Sequence, residues 1–136
     1  MIDELIKLMI DQEKDLQTLF ELLKVQCDMA VKKDLFGLEG LVDKLIGVSK
    51  EIAKEELQRR QLLGEMKLSE VVANSDNVEL KKAYKKIGIT LKTVMSQKET
   101  NEMILKQQLL FTNKMLAVIN PDRRIKTYTS FGNLSR

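Results

Sequence analysis

The chain has 136 residues, a length that suits one domain, and is 43% hydrophobic but only 4% aromatic, with one proline. Charged residues make up 32% with both signs mixed, a composition of long helices and coiled coils that points away from a sandwich or barrel. The formal net charge of +3 lies wholly after residue 120, where Arg123, Arg124, Lys126 and Arg136 oppose Asp122, and the neutral body excludes a broad electrostatic footprint for nucleic acid.

The first helix is predicted from about Ile2 to Lys33. Ile2, Leu5, Met9, Leu16, Leu19, Leu23 and Ala30 follow an alternating three- and four-residue spacing, with Gln12 and Gln26 filling the gaps. Such a repeat keeps one seam toward a partner over many turns. Ile6, Phe20 and Cys27 widen the stripe enough for two neighbours. A reversal follows at Asp34-Leu35-Phe36-Gly37, with Asp34 as N-cap of the next helix. So short a connection makes the two helices antiparallel neighbours.

The second helix is predicted over about 35–67. Leu38, Leu41, Leu45, Val48, Ile52, Leu62 and Met66 continue the seam, and Glu55 and Arg59 occupy its two polar positions. That pair reads either as solvated residues or as a buried ion pair that sets register. Gly40 and Gly47, seven apart, mark either a close backbone approach or tolerated helix defects. Leu68 to Val72 adds a short turn of helix, and Asn74-Ser75-Asp76-Asn77 is the clearest loop signal. Asp76 and Glu79 have the spacing of a capping box.

The third long helix is predicted over about 77–119. Leu80, Tyr84, Ile87, Leu91, Val94, Leu105, Met115 and Ile119 share one seam with the polar Lys98, Asn101, Gln108 and Thr112. Polar seam residues lower stability but select register and partner. Its first half is amphipathic. From Met103 to Ile119 the apolar residues spread around the helix: Met103, Ile104, Leu105, Leu109, Leu110, Phe111, Met115, Leu116, Ala117, Val118 and Ile119. A helix apolar on several sides must be covered from several directions, so this stretch reads as a partner-binding surface. Asn120-Pro121 ends the helix. The expected architecture is all-α: an elongated antiparallel helical hairpin within a three-helix coiled-coil bundle over 1–120, followed by a short flexible basic tail over 121–136. Tyr128 and Phe131 give that tail the look of a docking peptide.

Residues suited to chemistry are few. The chain has no histidine, the commonest general base and metal ligand. No glycine-rich phosphate loop or nucleophile elbow is present. Catalysis, a metal and a cofactor are therefore not expected. The acidic pairs Asp11/Asp15 and Glu51/Glu55 read as solvated faces paired with Lys7, Lys14, Lys54 and Arg59. The lysines around Tyr84 read as a solvated face. Cys27, the only cysteine, reads as a small buried hydrophobe and fits a cytoplasmic location. Met1-Ile2-Asp3-Glu4 is acidic where a signal peptide is basic. No apolar run approaches the roughly 18 residues of a membrane span, so stable membrane insertion is not expected.

This layout resembles the FlgN family of flagellar export chaperones. The likeness lies in two heptad helices, an irregular joint, a third long helix and a short tail. It also lies in the order Asn101, Leu105, Gln107, Gln108, Leu109, Phe111, Leu116, Asn120-Pro121, Tyr128 and Gly132, and in Asp34, Leu35 and Leu38 at the first turn. Lys98 stands where the family usually shows a first asparagine. The resemblance implies a cytosolic, non-catalytic chaperone of type III flagellar export. It would bind the N- or C-terminal helices of hook-associated (hook–filament junction) proteins, prevent their premature association and present them to an export-gate component. Carried over by position, it puts substrate binding at Asn101, Ile104, Leu105, Gln108, Phe111, Met115, Leu116 and Ile119, and gate docking at Tyr128 and Phe131. The residues leave two other readings open. One is a helical adaptor, or a chaperone for another flagellar subunit such as the filament cap; the other is a self-associating structural coiled coil, and homo-oligomerisation is left open.

Overall fold

The structure, a computed structural model, describes the backbone of residues 1–119 and the side chains of 1–108 and 117. The described residues form four helices and no strand: α1 (Ile2–Lys32), α2 (Leu35–Leu63), α3 (Leu68–Ala73) and α4 (Val78–Ile119). At 1.5 Å per residue, α1 is about 46 Å long and α4 about 63 Å. The expected tail over 121–136 lies outside the described residues.

Each boundary has a local cause. α1 ends where Lys33 adopts a left-handed conformation (φ 59°) and donates its N–H to Ala30. The Asp34 N–H bonds back to Met29 O, so the last carbonyls of the helix are satisfied. The Asp34 carboxylate then caps α2 by accepting from Gly37 N at 2.9 Å. Glycine at 37 leaves room for this cap, because a Cβ there would sit 2.4 Å from the Asp34 carboxylate and force it to move. α2 stops earlier than the sequence suggested, at Gly64 with φ 63°, a conformation glycine adopts without penalty. α4 is capped differently from the expected Asp76/Glu79 box. Asn77 Oδ1 accepts from Leu80 N at 3.1 Å, and Ser75 Oγ accepts from Asn77 N. A Cβ added at Gly40 or Gly47 would meet nothing within 4 Å, so these are tolerated defects and not points of close backbone approach.

α1 is the central element. It packs against α4 on one flank and α2 on the other, while α2 and α4 scarcely touch. Its sequence has two polar residues at the branch point. Gln12 turns to α2, donating to Ile52 O at 3.4 Å, and Glu13 turns to α4, accepting from Thr90 Oγ1 at 2.8 Å.

The α1–α4 seam is parallel and in register. Asn101 bonds to Leu23 and Gln108 to Ala30, each 78 residues away. The same separation brings the buried Met9, Leu16, Leu23 and Ala30, seven apart on α1, level with positions 87, 94, 101 and 108 of α4. Ile87, Val94 and Asn101 are buried, as is Leu80 one heptad earlier. A heptad repeat on both helices supports such long side-by-side packing. Tyr84 and Leu91, expected on the same seam, are 37% and 46% exposed. They face the gap that α2 leaves beside α4.

The α1–α2 flank is looser. Only Leu41, Glu55 and Leu63 of α2 are buried, and Leu45 and Ile52 are half-buried. Arg59 pairs with Glu56 at 2.6 Å, so neither reading of Glu55 with Arg59 describes this flank. The acidic pairs are not solvated ion-pair faces either. Asp15 of α1 and Glu51 and Glu55 of α2 converge across the interface, and no ion pair among the described residues reaches any of them.

Candidate functional site: the far end of the last helix

The register along α1 decides what lies at the end of α4. With a separation of 78, Lys32, the last residue of α1, comes level with Leu110. α4 continues to Ile119, and α2 begins at Leu35 and runs back along α1. Beyond residue 110, neither long helix continues beside α4. Residues 111–119, the C-terminal half of the apolar stretch, therefore extend past both long helices that flank the earlier part of the chain.

Two polar side chains secure the last supported turns. Asn101 is 1% exposed. Its Nδ2 donates to Leu23 O at 2.7 Å and to Gln26 Oε1 at 2.9 Å, and its Oδ1 accepts from Gln97 Nε2 at 2.9 Å. The amide's remaining polar capacity is thus largely spent inside the bundle. Gln108 Nε2 donates to Ala30 O, close to the end of α1. Both side chains take up carbonyls of α1 and hold α4 at one height along it. Asn101, expected on the substrate face, is instead in the α1–α4 core, where a single seam asparagine specifies register.

The other expected residues divide as follows. Ile104 and Leu105 are half-buried, and their neighbour Met103 is 60% exposed. Phe111, Met115, Leu116 and Ile119 belong to the part of α4 whose side chains lie outside those described. Tyr128 and Phe131 lie outside the described residues altogether.

The same end of the bundle carries apolar residues that sequence reasoning did not assign to the surface. Phe36 is 90% exposed, Leu35 74% and Val31 60%. Leu35 and Phe36 are the first two residues of α2, off the seam set by Leu38, Leu41 and Leu45. That mismatch of phase was the available signal. The level of Lys32 with Leu110 puts this turn at the height of the α4 overhang.

A second apolar feature runs along the molecule. Because α2 and α4 straddle α1 without meeting, a groove of about 690 Å³ opens between them. Gln12 and Leu16 lie at α1, Ile52 and Ala53 at α2, and Ile87 and Leu91 at α4. Three of its polar groups are tied to one another or to the backbone: Gln12 to Ile52 O and Glu56, and Glu56 to Arg59. No helix of the described chain is long and apolar enough to cross a membrane.

A family model described as FlgN protein matches residues 1–136, the whole chain. No curated protein and no solved structure matches it. Chain-length agreement with that model, together with the all-helical architecture, means that the chain belongs to the FlgN family, a family of flagellar export chaperones.

Proposed function

We propose that this chain is a cytosolic, non-catalytic chaperone for hook-associated (hook–filament junction) proteins in type III flagellar export. It binds their terminal helices, prevents premature association and delivers them to the export gate. The observation that carries this reading is the overhang: α4 runs past the end of α1 within the stretch, begun at Met103, whose sequence is apolar on several sides. An amphipathic helix from a partner can lay its apolar face along such an unsupported helix by coiled-coil-like packing. Ile104, Leu105, Phe111, Met115, Leu116 and Ile119 form that face, joined by Val31, Leu35 and Phe36 at the adjoining turn. Asn101 and Gln108 act as positioning residues that hold the face at its height. Tyr128 and Phe131 serve the export gate.

The test is the mass of the complex by light scattering, alone and with a purified hook-associated protein. A monomer or weak dimer that shifts to a discrete heterocomplex supports the proposal; a tight homodimer unmoved by the candidate overturns it. Phe111→Asp is expected to abolish complex formation while helicity is kept. A wholesale loss of helicity would place Phe111 in the core instead. Tyr128→Ala is expected to spare affinity and impair export, and lost affinity would assign the tail to the substrate site.

A further inference from the structure

On the flank of α1 away from α4, carboxylate oxygens of Asp15, Glu51 and Glu55 lie within 4.8 Å of one another. Glu55 is 5% exposed, and its Oε1 has neither a hydrogen-bond partner nor access to solvent. A buried carboxylate oxygen without a donor costs the desolvation of that atom. Nearby acids add like-charge repulsion, and Asp11 lies close enough to contribute. No ion pair among the described residues reaches Asp15, Glu51 or Glu55; Arg59 and Arg60, about one turn beyond Glu55, both pair with Glu56.

We infer that Asp15, Glu51 and Glu55 form a site for a hard divalent cation of the size of Ca²⁺, which ties α2 to α1. The donor set is all oxygen, the preference of such ions. Oxygens no more than 4.8 Å from one another leave a centre at most about 2.8 Å from each, close to the roughly 2.3–2.6 Å of Ca²⁺ coordination. Ca²⁺ also accepts a flexible, partly hydrated oxygen shell, whereas Mg²⁺ demands near-ideal octahedral geometry. Burial falls from Glu55, which is buried, through half-buried Asp15 to exposed Glu51. One side of the site therefore stays open to water, which completes the coordination. The cation would neutralise the acids and supply the unpartnered Glu55 oxygen with a ligand contact. It would also cross-link the flank that hydrophobic packing holds least well.

Isothermal titration of the metal-stripped full chain with CaCl₂ and MgCl₂, at fixed ionic strength, tests this, with thermal melts alongside. Saturable one-to-one Ca²⁺ binding with a rise in melting temperature is expected, with Mg²⁺ weaker. Glu55→Gln, and independently the exposed Glu51→Gln, should weaken Ca²⁺ binding at least about tenfold. Glu21→Gln, which touches only an exposed pair with Lys24, should leave it unchanged. Because Glu55→Gln removes a buried acid, it should melt no lower than the parent without metal, which separates lost ligation from lost folding. The inference fails if no saturable binding is seen. It also fails if Ca²⁺ raises the melting temperature of Glu55→Gln as much as that of the parent, the signature of charge screening alone.

Discussion

Glu13 and Glu55 are each 5% exposed, on opposite flanks of the same helix pair-up around α1, and their surroundings could hardly differ more. Glu13 receives Thr90 Oγ1 at 2.8 Å, Gln17 Nε2 at 3.0 Å and Lys86 Nζ at 3.4 Å. Burial alone would raise its pKa, but these donors and the lysine charge outweigh burial and hold it below the usual carboxylate value. Burial pushes Glu55 up to about 8, reinforced by the neighbouring Asp15 carboxyl and by the charges of Glu51 and Asp11. The α1–α4 flank is built to stay closed and in one register. The α1–α2 flank shares the length and heptad pattern, but the bonds that Gln12 makes across it to Ile52 O and Glu56 are long, at 3.4 and 3.5 Å, and Glu55 Oε1 has no donor. Two seams that look alike in apolar spacing can thus differ in how firmly they are held, because buried polar groups are costly unless satisfied.

The largest expected effect follows from apolar burial on the two flanks. Leu80→Ala, at a fully buried position of α4, should destabilise the chain by about 2–5 kcal/mol. Ile52→Ala, at a half-buried position of α2, should cost less than half of that. Urea melts followed by circular dichroism measure both. Equal losses would show that the α1–α2 flank is as tightly packed as its counterpart.

Heptad spacing made the long helices legible, and with them the short link that forces α1 and α2 antiparallel. It also located the apolar end of α4. Which neighbour each seam faces was not legible. Tyr84 and Leu91 share the spacing of Leu80 and Ile87, yet they open toward a groove, because α2 stays on the far side of α1. Spacing along one helix cannot report that a second helix is missing from its flank. Acidic residues misled for a related reason. Basic residues three or four positions from a member of each pair (Lys7 and Lys14 from Asp11, Lys54 from Glu51, Arg59 from Glu55) suggested solvated pairing, whereas Asp15 meets Glu51 and Glu55 across the interface. Asn101 was legible as a seam residue, but its bond to the Leu23 carbonyl depends on a register between positions 78 apart in the chain.

The two glutamates should also respond to pH with opposite sign. For Glu13, with its pKa lowered on folding, the contribution is present above the unfolded value of about 4.5. It is lost as pH falls through the lower folded value. Glu55 behaves in the other direction. Between about 4.5 and about 8 the unfolded chain releases a proton that the folded chain keeps, so stability falls as pH rises across that window. In EDTA, Glu13→Ala should cost on the order of 1–3 kcal/mol at neutral pH. Glu55→Gln should be neutral to stabilising, by up to about 1–3 kcal/mol near pH 8. It should also flatten the decline of stability between acid and mildly alkaline solution. Denaturant melts at several pH values check both; a Glu55→Gln variant with the parent's pH profile would mean that Glu55 is not the group that titrates.

The smallest effects belong to the glycines of α2, and they separate backbone entropy from packing on the looser flank. Gly40 and Gly47 lie in the helix interior with open space where a Cβ would project. Alanine at either should therefore stabilise by up to about 1 kcal/mol, through helix propensity and a less flexible unfolded chain. Gly37 sits in the same helix but under the Asp34 carboxylate, 2.4 Å from the position of a Cβ. Alanine there must displace the cap that holds the first turn of α2, and a loss of about 0.5–2 kcal/mol is expected. If Gly40→Ala and Gly47→Ala destabilise like Gly37→Ala, then something packs against that face of α2 in solution. A second copy of the chain is the first candidate, and sedimentation of the two variants against the parent would decide it.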